Sequence, residues 1–107
     1  MIFLMKPFYV LVHANNLGNL KSWSRIQTVL NEIDRIKSQE CFVICPDNLW
    51  GILSVLPKGS ETCELLVCGA FSGEPIYEAP YCVDTVCRIL VGAYYNARIH
   101  EPGTLYV

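Results

Sequence analysis

The run Phe8-Tyr9-Val10-Leu11-Val12 constrains the fold more than any other feature of the chain. It is unbroken in apolar side chains and rich in aromatic and β-branched residues, so it reads as a β-strand. A strand apolar at every position, rather than at alternate ones, is covered on both faces and lies inside its sheet. The rest of the chain must supply that cover. It has the material: 52% of the 107 residues are hydrophobic and only 17% are charged. A chain so apolar can offset its ordering entropy by burial, which excludes intrinsic disorder. Its length fits a single domain, residues 1–107.

After the turn residues Asn15, Asn16, Gly18 and Asn19, the period changes to helical from Leu20 to about Gln39. Trp23, Ile26, Val29, Leu30, Ile33 and Ile36 form one apolar stripe, with Arg25, Thr28, Glu32 and Arg35 on the opposite, solvated face. Cys41 to Cys45 reads as a second strand, ended by Pro46. Leu49 to Leu56 reads as a short helix, although Ile52, Ser54 and Leu56 also alternate as a strand would. Pro57-Lys58-Gly59-Ser60 is a turn, and Cys63 to Phe71 is a third strand. Ile76-Tyr77 could add a short edge segment.

A second long helix is expected from about Tyr81 to Arg98, with Pro80 near its start and Asp84 complementing its positive end. Val83, Val86, Cys87, Leu90, Tyr94 and Ala97 make its stripe, while Ile89, Val91 and Ala93 carry apolar surface around most of the circumference. Such a helix is buried on more than one side. Gly92, a weak helix former, hints at close packing there. Leu105 to Val107 could close as a last strand after the Pro102-Gly103 turn. The expected fold class is α+β: a two-layer sandwich in a ferredoxin-like arrangement, with two main helices on one face of a sheet of three to five strands.

Eight basic and ten acidic residues give a formal net charge of −2, which argues against duplex nucleic acid as a partner. Six cysteines, about 6% of the chain, fall below the roughly 8–10% of disulfide scaffolds. No C-x-x-C pair is present. Cys41 and Cys45, four apart on a strand, would lie roughly 13 Å apart, too far to bond. Buried thiols in a reducing cytoplasm are the expectation. Met1 to Ala14 lacks a basic start and is split by Lys6-Pro7, which argues against a signal peptide. No apolar run is long enough for a membrane span.

Polar residues are densest between the first strand and the first helix: His13, Asn15, Asn16, Asn19, Lys21, Ser22, Ser24 and Arg25. Ligands of open α/β sheets favour the carboxyl ends of strands, and a helix start offers free amides to an anion. His13, Asn15, Asn19, Lys21 and Arg25 are therefore the candidate ligand-binding residues. A turn and a helix cap would explain the same composition, and no phosphate-loop spacing is present. No catalytic constellation stands out. There is no G-x-S-x-G elbow, His100 is the only other histidine, and Cys82 is the best-placed thiol. The outline resembles that of small ferredoxin-like metal-dependent nucleases, which carry an acidic residue at the end of the first strand; Val12-His13-Ala14-Asn15 supplies none here, which disfavours that activity. No metal or cofactor is expected.

Two functions remain. The leading one is a non-enzymatic protein-interaction module, able to inhibit a partner protein or complex and acting as a homodimer or higher oligomer through Ile89, Val91, Tyr94 and Tyr95. The other is a binding protein, or minor enzyme, for a small anionic ligand such as a nucleotide or phosphate at residues 13–25.

Overall fold

The computed structural model describes residues 7–14, 25–73 and 80–106. Strand β1 (Phe8–Val12) leads to helix α1 (Ile26–Ser38) and strand β2 (Phe42–Ile44). A 3-10 turn at Leu49–Gly51 runs into the short helix α2 (Ile52–Val55). A second such turn, Ser60–Thr62, precedes strand β3 (Glu64–Ser72), helix α3 (Cys82–Gly92) and strand β4 (Asn96–Tyr106).

Helices and strands combine around a four-stranded sheet, as the hydrophobic patterning implies, but its order is β2-β1-β3-β4 and every pairing is parallel. The ferredoxin-like expectation fails here. Two main helices on one face is also incorrect, because α1 and α3 cover opposite faces. Tyr9, Leu11, Leu66, Cys68, Ala70 and Leu105 meet Val29, Ile33 and Ile36 of α1. Val10, Val12, Leu65 and Val67 meet Ile52 of α2 and Val83, Val86, Ile89 and Leu90 of α3. Both faces of β1 and β3 are thus dry, the usual condition of parallel strands. Parallel neighbours need crossover connections, and α1, α2 and α3 are those connections.

The second long helix is shorter than its apolar composition suggests. α3 ends at Gly92, where Tyr94 N–H bonds Val91 O at 3.0 Å and Tyr95 N–H bonds Leu90 O at 3.0 Å. These bonds form a Schellman cap, with Tyr94 in the left-handed position at φ 69° that glycine usually fills. Asn96 to Tyr106, including Ala97 and Arg98, is strand. Gly92 does not mark close packing: a Cβ there would meet nothing within 4 Å.

β4 carries a bulge. Val67 faces Ile99 and Gly69 faces Thr104, so Cys68 alone spans what His100 to Gly103 span on β4. Thr104, fully buried, donates to His100 O at 2.8 Å, which satisfies its hydroxyl inside the bulge. The edges of the sheet are blunted by this bulge on one side and by the brevity of β2 on the other.

All six cysteines are free thiols. Burial, with a smaller contribution from the Glu32 charge, pushes the Cys68 thiol up to about 12. Burial, with Cys82 and Asp47 adding, pushes Cys45 up to about 11. Thiolate is the reactive form, so both should label slowly. Denatured, unreduced protein is expected to react with six equivalents of thiol reagent, and native protein to leave Cys45 and Cys68 for last. Rapid native labelling of Cys68 would contradict this packing.

Candidate functional site

The strand order reverses direction between β1 and β3. From β1 the chain crosses through α1 to β2 on one side; from β3 it crosses through α3 to β4 on the other. The two crossovers lie over opposite faces of the sheet, and in open parallel sheets such a reversal marks the carboxyl ends of the two strands, here β1 and β3, as the usual place of a ligand. His13 and Ala14 follow β1 at this end, and Ser72 closes β3, with Gly73 next. Arg25 stands at the N-cap of α1, and Tyr81 at the N-cap of α3.

Gly69 joins β1 and β3 closely near their carboxyl ends. It pairs with Val12 at φ +124°, and a Cβ built on it would lie 1.9 Å from Val12 O. No side chain fits. Above it, the Asp84 carboxylate in the first turn of α3 accepts from Ser72 Oγ at 3.0 Å and from Gly73 N–H at 3.2 Å. The carboxylate thereby occupies the positive end of α3 as an internal anion. Ser72 is buried and pairs with Tyr106 of β4. The Tyr106 hydroxyl is pushed up by burial and by the Glu101 charge, drawn down by Arg25, and pushed up again by Asp84. Charges of both signs therefore reach this end of the sheet.

Of the expected ligand-binding residues, His13 and Arg25 stand at this end of the sheet, both exposed. His13 adopts the left-handed conformation at φ 52° as the chain leaves β1. Asn15, Asn19 and Lys21 lie outside the described residues, as do Ser22, Ser24 and Ile76-Tyr77. The expected interface residues are not gathered into one surface. Ile89 is 5% exposed and needs no outside cover, because it packs into the α3-side core. Tyr95 packs partly against the same core. Val91 is exposed, and Tyr94 projects at 96% exposure from the helix cap.

Sequence reasoning missed a second polar cluster, between α1 and β4. Glu32 takes two bonds from Arg35, at 2.6 and 2.7 Å, and lies 2.5 Å from His100 Nε2. Arg35 also donates to the Tyr9 hydroxyl at 3.3 Å, and the Tyr9 ring meets the His100 ring edge-on at 5.3 Å. Glu32 is not on a solvated face; its side chain is 13% exposed. A signal for it existed in Tyr9: a tyrosine inside a buried strand usually finds a partner for its hydroxyl. His100 and Cys68 are no catalytic pair, since the Cys68 thiol is buried, raised to about 12 and donates to Val10 O at 3.8 Å. A separate cleft of about 330 Å³, lined by Pro7, Tyr9, Gln39 and Cys41, adjoins the start of β1. Among the described residues, no three His, Cys, Asp or Glu side chains converge to hold a metal ion, and no helix is long and apolar enough to cross a membrane.

No protein-family model matches the chain, and comparisons with curated proteins and with solved structures gave no significant match. Any reading of function therefore rests on the geometry alone.

Proposed function

We propose that the protein binds a small anionic ligand of the nucleotide or sugar-phosphate class at the carboxyl ends of β1 and β3. The observation that carries this reading is the strand order β2-β1-β3-β4, whose reversal between β1 and β3 marks the usual ligand crevice of parallel sheets. Arg25 and His13 supply cationic and hydrogen-bonding groups beside it. The sequence between them, residues 15–24, contains Lys21 and several amide and hydroxyl side chains. Asp84 divides the crevice electrostatically. Its carboxylate already uses the Gly73 amide, so a phosphate belongs on the α1 side, and a ligand hydroxyl can donate to Asp84.

A thermal-shift series with AMP, ribose 5-phosphate and inorganic phosphate tests this directly. At a hundredfold excess over its dissociation constant, a ligand stabilises by about 2.7 kcal/mol, which raises Tm by roughly 10 °C. AMP or ribose 5-phosphate is expected to produce that rise, and Arg25→Ala to remove most of it. A flat response to all three would overturn the proposal.

A second reading, a homo-oligomeric interaction module of the cytoplasm, is favoured by one observation away from α3. Trp50 is 65% exposed, with Leu53 exposed three residues on and Ile44 half exposed on edge strand β2. An exposed Trp of this kind is a common anchor of protein interfaces. On this reading, light scattering gives twice the mass of one chain, and Trp50→Asp gives a folded monomer. A native protein that stays monomeric at every concentration removes self-association.

A further inference from the structure

We draw no further inference here: the strongest candidate, the Tyr9–Glu32–Arg35–His100 side-chain cluster between α1 and the β4 bulge, is closed by bonds among its own members, and nothing in the structure points to a ligand or partner it would take.

Discussion

Gly69→Ala is expected to destabilise the protein by about 4 kcal/mol, enough to leave much of it unfolded. Two penalties combine. The backbone at φ +124° is one that L side chains rarely adopt, and the new methyl group would sit 1.9 Å from Val12 O. That oxygen belongs to the main chain of Val12, a fully buried residue of the neighbouring strand, so no rotamer change can relieve the contact. β1 and β3 would have to separate at the Gly69–Val12 pairing. Gly92→Ala is the matched control: it adds the same methyl group at the end of α3, in open space. It is expected to gain about 0.5 kcal/mol through helix propensity. Urea unfolding of both variants checks the pair. Equal midpoints for Gly69→Ala and the native protein would mean that β1 and β3 do not pair in this register.

The second large effect is expected at Glu32. Glu32→Gln keeps the shape of the side chain but removes the charge that Arg35 and His100 share, at a cost of about 2 kcal/mol near neutral pH. The Arg35 bonds hold the Glu32 carboxyl down at about 2, against the opposing effect of burial, with His100 assisting. A depressed carboxylate stabilises the fold fully above its ordinary value of 4.5, and that contribution is lost as pH falls toward about 2. The stability gap between native protein and Glu32→Gln should therefore be wide at pH 7 and narrow markedly by pH 3. A gap that does not change with pH would show that the Glu32 carboxylate does not help hold α1 to β4.

Much of the element pattern was legible from periodicity. Residues 8–12, 42–44 and 64–72 are strands, and the apolar stripe of Val29, Ile33 and Ile36 does face the sheet. The architecture was legible too, but in a feature easily underweighted. Phe8 to Val12 and Leu65 to Val67 are apolar at successive positions, which demands cover on two faces. A two-layer sandwich cannot provide it. The residues that do, Ile52 on a four-residue helix and Val83 to Leu90 on α3, give no sign in sequence of which face they take.

Local pattern was least informative where long-range contacts decide the outcome. Glu32 falls on the polar side of its helix by period, yet its partner His100 comes from a strand 68 positions away. β4 lacks clean alternation because it lies at the edge of the sheet and bulges at His100 to Gly103. Its first residues, Asn96 to Arg98, were thus absorbed into an apparent long helix. At the candidate site, His13 and Arg25 were legible as candidates because polar residues crowd the exit from β1. Ser72 and Asp84 were not, since each is an ordinary residue until β3 and α3 bring them within 3.0 Å.

The most direct measurement of the central claim is a residue-resolved NMR titration of the native protein with AMP, with inorganic phosphate as a parallel arm. Shifts are expected to concentrate at His13, Arg25, Ser72, Gly73 and Asp84, with the Asp84 signals moving for AMP and little for phosphate. The Glu32, Arg35 and His100 signals should stay in place. No shifts, or shifts centred on Pro7, Gln39 and Cys41 at the other end of β1, would contradict a ligand site at the ends of β1 and β3.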